Sequence, residues 1–310
     1  MNWKQCRKDL LGNESFELPP EFKLPILPQA VSEFNRASND EDVTIDQLAH
    51  ILETDSGLTI EVLKMVNSSI YGFRSKISSV KQAINMLGIP RTKTSVLTMA
   101  VKQAMSGCQS KLINLKHFWA ANMERAIFAK EMATLLNTDG EIAYAASMLQ
   151  DFMLPVLTSS MFEQYTDFVD QNEKERIILT AYEQKKLGWD HAVAAAHITH
   201  KWEFPDDLIC SLYLHHKGLA ILMDPAYAKT PAAAVALSAL LPDAMQQSPQ
   251  GFKQLIQLQS IWKSFDLPAV AQRVEEQFYE MGGDRVHHLT LKRRLEKHQK
   301  EVENEVAVCM

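Results

Sequence analysis

Residues 77–90 read Ile77-Ser78-Ser79-Val80-Lys81-Gln82-Ala83-Ile84-Asn85-Met86-Leu87-Gly88-Ile89-Pro90. Val80, Ala83, Ile84 and Leu87 follow the i, i+3, i+4, i+7 spacing that places apolar side chains on one face of an α-helix. Gly88 is a natural stop, because glycine reaches the left-handed conformation of a helix C-terminus without steric cost. Pro90 then opens a second helix at a position where its missing N–H is not needed. That helix extends to about Ser106, before Gly107. Upstream, Ile45, Leu48, Ala49, Ile51 and Leu52 repeat the stripe, with Thr44 placed to accept from the first free amides as N-cap. Leu58, Val62, Leu63 and Val66 predict a helix over 56–67.

Downstream the same period predicts helices over 116–136, 141–160, 162–170, 173–186, 190–202 and 205–215. Asp190 is a plausible cap, and Pro155 should kink or end the second of these. More helices follow Ala232, the last near 289–306. No segment alternates with period 2 and no fixed repeat is found, so the chain is expected to be all-α. Residues 1–24, with Leu18, Pro19, Pro20 and Leu24, read as an extended lead-in. Small and polar residues over 107–114 mark a joint rather than a flexible linker. The resulting division is a lead-in (1–24), an N-terminal helical lobe (25–110), a second helical lobe (111–218) and a C-terminal helical extension (219–310).

The chain has 310 residues, of which 46% are apolar and 23% charged, and a formal net charge of −6. That composition excludes disordered and collagen-like chains and argues against a globally basic nucleic-acid binder. Cys6, Cys108, Cys210 and Cys309 form no CxxC pair, so zinc-ribbon and thioredoxin motifs are excluded. Widely spaced thiols suit a reducing cytoplasm. The charged N-terminus has no apolar core behind it and does not read as a signal peptide. The apolar stretch 142–162 is cut by Gln150 and Asp151, short of the roughly 20 apolar residues of a membrane span. A cytoplasmic protein without a membrane partner is expected. No P-loop, GxGxxG or GxSxG occurs.

Charge is distributed unevenly. From Val62 to Met123 there is no Asp or Glu, yet nine basic residues occur: Lys64, Arg74, Lys76, Lys81, Arg91, Lys93, Lys102, Lys111 and Lys116. Such a block creates an asymmetric field suited to an anionic partner, and equally suits a solvated face or pairing with the acidic remainder. Most of these side chains are expected to be exposed, with several sharing one side of the N-terminal lobe. Aromatic interleaving is confined to Tyr71 and Phe73, so a stacking platform for single strands is not indicated.

Eight of the ten histidines lie from His191 onward. His197 and His200 stand at i, i+3, a spacing that ordinary surface imidazoles also show. In the His215-His216 pair, neighbours on a helix point about 100° apart, so one of the two is expected to face any given site.

Several motifs, in order, resemble those of the HDOD domain family. Val62-Leu63-Lys64-Met65-Val66-Asn67-Ser68-Ser69-Ile70-Tyr71-Gly72 is similar to its LLRLANSAYYG run. Residues 77–88 match its I-S-S-[IV]-x-x-A-I-x-x-L-G signature, through Ser79 and Gly88 among others. Leu27-Pro28-Gln29-Ala30-Val31 and Thr54-Asp55-Ser56-Gly57 also fit, and the resemblance extends over about Leu24 to His216. It implies a two-lobed helical bundle with a core like that of HD-type metal phosphohydrolases, usually without their activity, in a bacterial signalling or regulatory module. Read residue by residue, the hydrolase ligand set is incomplete. Ala121 stands in the place of a ligand His, Gln150 replaces the His of the His-Asp dyad, and Ser238 takes the distal Asp position. Asp151, His191, His215 and His216 remain. Ala cannot coordinate metal and a neutral amide is a poor ligand for it.

The resemblance therefore implies a non-catalytic module without cofactor or complete metal site, in which Asp151, His191 and one of the paired histidines still converge. Its partner would be another signalling protein or a small ligand docking on Lys64, Arg74, Lys76, Lys81, Arg91 and Lys93, with nucleic acid weakly supported. The alternative is a divergent metal-dependent phosphohydrolase acting on a nucleotide or phosphoester. Asn67, Ser68, Tyr71 and Gly72 read chiefly as a structural corner, since turn chemistry accounts for their polar groups.

Overall fold

The computed structural model describes residues 1–12, 18–19, 22, 26–68, 71, 73 and 75–308, with side chains as far as residue 300. Gly72 and Arg74, like Pro20, Leu24 and Cys309, lie outside the described residues. The N-terminal lobe is built from α2 (Gln29–Ala37), α3 (Ile45–Glu53), α4 (Ser56–Val66), α5 (Val80–Leu87) and α6 (Ile89–Ala104). Their ends follow the local sequence. Thr44 Oγ1 accepts from Gln47 N at 3.2 Å while Gln47 Oε1 accepts from Thr44 N at 2.9 Å, a reciprocal cap on α3. Ser79 Oγ caps α5 by accepting from Gln82 N at 3.2 Å, while Gln82 Oε1 accepts from Ser78 N at 3.0 Å. Gly88, at φ +79°, ends α5, and Pro90 lies in the first turn of α6.

The second lobe comprises α7 (Leu115–Leu136), α8 (Gly140–Leu149), α9 (Leu154–Ser160), α10 (Phe162–Glu175), α11 (Leu179–Leu187), α12 (His191–Lys201) and α13 (Asp206–Leu214). A 3-10 stretch, His215–Met223, follows α13. α14 (Pro231–Ser238), α15 (Gly251–Ile261), α16 (Leu267–Glu280) and α17 (Leu291–Val308) complete the chain. There is no strand among the described residues, and the fold is all-α. No described helix is long and apolar enough to cross a membrane. One apolar core runs through both lobes, from Phe34, Leu52 and Val80 to Phe128, Leu149, Leu212 and Phe278.

Three expectations need correction. Residues 1–24 are not simply extended: Trp3–Leu11 is a helix, α1, capped by Asn2, whose Oδ1 accepts from Gln5 N at 3.1 Å. It packs against α13 of the second lobe, burying Cys6 and Leu11, with Trp3 and Leu10 against Leu214 and Ile221. The helix expected over 141–160 is two helices. Pro155 would clash with the carbonyl of residue 151 in a continuous helix, so α8 stops at Leu149 and α9 restarts with Pro155 in its first turn. The helix boundary expected near 170–173 lies further on. α10 runs to Glu175, Arg176 adopts φ +52°, and Leu179 N is held by Gln247 O at 3.2 Å. The joint over 107–114 is packed, as Ser110 Oγ accepts from Leu112 N and Ile113 N and meets Thr158 Oγ1 at 2.8 Å.

Candidate functional site

The interruption between α8 and α9 puts Gln150 and Asp151 in a buried turn, where both face the centre of the second lobe. Asp190 Oδ1 caps α12 by accepting from Val193 N at 2.9 Å, which fixes His191 as the first residue of that helix. His215 and His216 begin the 3-10 stretch after α13. These elements bring Asp151, His191, His215 and His216 together, with one donor atom of each within 4.8 Å of all the others. The expected convergence is therefore present. The expectation that only one of the paired histidines faces the site is not met: their rings lie 3.9 Å apart at their centroids and both reach it. The two rings enter the cluster by different neighbours: His215 Nε2 lies 3.3 Å from Asp151 Oδ1, while His216 Nε2 lies 2.8 Å from His191 Nε2.

The contacts fix each side chain. His191 Nδ1 is 2.7 Å from Glu183 Oε2, and His215 Nδ1 is 2.6 Å from Leu212 O. Both rings thus present Nε2 inward. His191 Nε2 lies 2.8 Å from His216 Nε2 and 3.3 Å from Asp151 Oδ1, and His215 Nε2 lies 3.3 Å from the same oxygen. The other Asp151 oxygen, Oδ2, accepts from Arg125 Nη1 at 2.6 Å and from Gln247 Nε2 at 2.9 Å. Arg125, buried on α7, also donates to Leu241 O at 2.6 Å and Asp243 Oδ2 at 3.2 Å. Burial pushes the Asp151 carboxyl up, but His191, His215 and Arg125 outweigh it and hold the group well below the usual range. Burial pulls His191 down, and the carboxylates of Glu183 and Asp151 reverse this and raise it well above an ordinary imidazole. His216, half-buried, is pushed well below by its desolvation and by the neighbouring His215 and His191. Asp243 is raised by burial despite Arg125.

The three substituted positions are filled by other chemistry. Ser238 Oγ lies 2.8 Å from Ser147 Oγ and 3.3 Å from Gln150 Oε1. Beside Ala121 and Asp151 there is a void of only about 10 Å³. Whether the remaining donors suit a metal ion can be judged from their free valences. Asp151 Oδ1 and His215 Nε2 are buried and have no hydrogen-bond partner among the described residues. Histidine and carboxylate ligands about 2.0–2.2 Å from a tetrahedral ion stand roughly 3.3 Å apart; Asp151 Oδ1 is 3.3 Å from both His191 Nε2 and His215 Nε2, His191 Nε2 and His216 Nε2 are 2.8 Å apart, and all four donors lie within 4.8 Å of one another. Carboxylate and carbonyl partners on the outer ring nitrogens are the usual support of metal-bound histidine. The sequence predicts an incomplete ligand set with one of the paired histidines; with both present, three imidazoles and one carboxylate would suit a single four-coordinate cation, which corrects that expectation.

Sequence reasoning missed Arg125, Glu183, Asp243 and Gln247. Arg125 had a visible signal, standing i+7 from Phe118 and i+3 from Asn122 on an apolar helix face. The other three become neighbours only through the tertiary fold. His200 and His288 take no part: His200 Nε2 meets Arg7 Nη1 at 3.0 Å and His288 Nε2 meets Glu124 Oε2 at 2.8 Å.

The motif residues of the N-terminal lobe split into two roles. Asn67 is structural: its Nδ2 donates to Leu63 O at 2.7 Å and Ile77 O at 2.8 Å, and its Oδ1 accepts from Ile77 N at 2.8 Å. Ser68 and Tyr71 line a cavity of about 340 Å³ between the lobes. Among the described residues of the basic block all but Lys93 are exposed, as expected, and Lys64, Arg91 and Lys102 line that one cavity. Lys64 meets Glu61 at 2.9 Å, Lys81 meets Asp46 at 2.5 Å and Arg91 meets Glu141 at 3.3 Å, while Lys76 is exposed. Lys93 departs from the exposure expected of it. It is half-buried, its Nζ donates to Asn39 Oδ1 at 2.6 Å, and burial lowers it against the pull of Asp207 and Glu203.

Comparison with known proteins agrees with this architecture. A provisionally named phosphohydrolase from Shewanella amazonensis SB2B superposes with a TM-score of 0.62 at 23% identity, covering 84% of this chain and 94% of that one. A provisionally named signal transduction protein from Marinobacter aquaeolei VT8 superposes with a TM-score of 0.57 at 18% identity, covering 88% and 62%. At these identities the likeness concerns the fold. An uncharacterised protein of Treponema pallidum (strain Nichols) is 22% identical over 195 residues, 62% of this chain, and the match spans only 37% of that protein's length. The family model described as HDOD domain matches residues 24–218, from just before α2 to the 3-10 stretch that carries the paired histidines, and the chain belongs to the HDOD domain family.

Proposed function

We propose that this protein is a non-catalytic regulatory module of HDOD type, which acts by binding a protein or a small ligand rather than by hydrolysis. The observation that carries this reading is the closure of the former hydrolase centre. His191 and His215 are fully buried, Asp151 nearly so and His216 half-buried, with side-chain donors packed 2.8–3.3 Å apart, which leaves no room among them for a phosphoester. A catalytic metal site keeps a coordination position open for water or substrate, whereas a structural site fills its positions with protein donors. Here Asp151, His191, His215 and His216 would supply all four. A cation held by them would contribute cross-linking of the α8–α9 turn, α12 and the end of α13. Arg125 and Gln247 together fix Asp151, Glu183 fixes His191 and Leu212 O fixes His215.

The signalling role is supported by family membership and by the name carried by the Marinobacter protein. The free thiols of Cys6, Cys108 and Cys210 suit a reducing cytoplasm. The test is turnover of bis(p-nitrophenyl) phosphate by the full chain supplied in turn with Zn²⁺, Mn²⁺ and Mg²⁺. The expected rate equals that of an Asp151→Ala variant, and metal-dependent turnover abolished by that substitution would overturn the reading.

A further inference from the structure

The cavity between the lobes shares no residue with the histidine cluster. It is enclosed by α4, α6, α7 and α8, with α16 at one edge, and its volume of about 340 Å³ is that of a small-molecule site. Its apolar walls are dominated by methionine: Met65, Met99, Met123, Met148 and Met281 all contribute. Methionine is unbranched and adapts to apolar bodies of varied shape. Polar groups are few and their charge is biased. Lys64, Arg91, Lys102 and Lys130 stand against only Glu61 and Glu141.

The pairing leaves positive charge over. Arg91 Nη2 at 3.3 Å and Lys130 Nζ at 2.8 Å share one oxygen, Glu141 Oε1. Lys102 makes no ion pair among the described residues, and its Nζ lies 5.9 Å from the centroid of the Trp119 ring. Lys64 and Lys102 also border a second, more open recess, so they stand at the seam between the deep cavity and the surface. The Tyr144 hydroxyl has no hydrogen-bond partner among the described residues, and burial pushes its phenol up, which keeps it a donor.

We infer that the interlobe cavity binds a small anionic amphiphile, its apolar body among the methionines and its carboxylate or phosphate head at Lys102. This rests on the regulatory reading and gives it a ligand class. α7 and α8 bear on both sites: Met123 and Ile127 of α7 line the cavity while Arg125 of the same helix holds Asp151, and α8, which lines the cavity through Tyr144 and Met148, ends two residues before Asp151. An occupant therefore bears on the two helices that position the carboxylate of the cluster.

The experiment is calorimetric titration of the full chain with decanoate, decyl phosphate and the neutral decanol. At least one anion is expected to bind with one site per chain and at least tenfold more tightly than decanol. The stronger of the two identifies the head group. Lys102→Glu, at an exposed side chain, should weaken that anion at least tenfold, and Met99→Trp should block it by filling the cavity. The inference is overturned if neither anion binds saturably, if decanol binds equally well, or if Lys102→Glu leaves the affinity unchanged. Those results leave the phosphodiester assay unaffected, so failure of the ligand and failure of the non-catalytic reading are separately visible.

Discussion

Arg125 is the residue on which the second lobe's polar interior depends. It answers two buried carboxylates, Asp151 and Asp243, and a backbone carbonyl. Removing one partner of a buried ion pair costs about 3–5 kcal/mol, because a charge is left without compensation. Arg125→Ala should therefore lower unfolding stability by that amount in urea titration, and a loss below about 1 kcal/mol would show that Asp151 finds its balance elsewhere. Gln150→His restores one letter of the hydrolase dyad but leaves Ala121 and Ser238 unchanged. It is expected to give no phosphodiester turnover, and a measurable gain would mean that the centre is more open than the packing indicates. The sequence made Asp151, His191, His215 and His216 legible because their motif spacing survives. It concealed Glu183, Asp243 and Gln247, since each reaches the cluster from an element placed by tertiary packing and none lies in a motif.

At the scale of elements, local sequence and structure agree best where caps are strong. Thr44, Ser79, Gly88 and Asp190 stand where periodicity put the helix ends. Thr44→Ala should cost about 1 kcal/mol, the usual worth of a side-chain N-cap, and a null effect in thermal melts would show α3 held by packing alone. α15 depends on a glycine for a different reason: a Cβ at Gly251 would stand 2.4 Å from Leu240 O. Gly251→Ala is expected to destabilise by about 1–3 kcal/mol, as overpacking does. α1 went unread although Trp3, Cys6 and Leu10 keep helical spacing, because five polar residues crowd the stripe and two prolines follow it. The break in 141–160 was half legible: Pro155 announced it, but only the three-dimensional structure shows that the interrupted turn is what delivers Asp151 inward.

The whole molecule joins its termini to the second lobe rather than leaving them as appendages. α1 lies on α13, where Arg7 pairs with Asp206, and α16 packs on α7, where Arg273 Nε meets Glu131 at 2.8 Å. Deleting residues 1–12 uncovers Leu214 and Ile221 and should cost about 2–4 kcal/mol on the scale of one or two buried apolar side chains. An unchanged urea midpoint would show α1 to be dispensable. The account's central claim is that Asp151, His191, His215 and His216 form a closed set of four protein donors. Cobalt(II) substitution tests this most directly, because its visible spectrum reports both coordination number and any change of ligand. The account predicts one cobalt per chain with the intense bands of a four-coordinate site, unmoved by added phosphate. Failure to take up cobalt, a weak six-coordinate spectrum, or bands that shift with phosphate would contradict it.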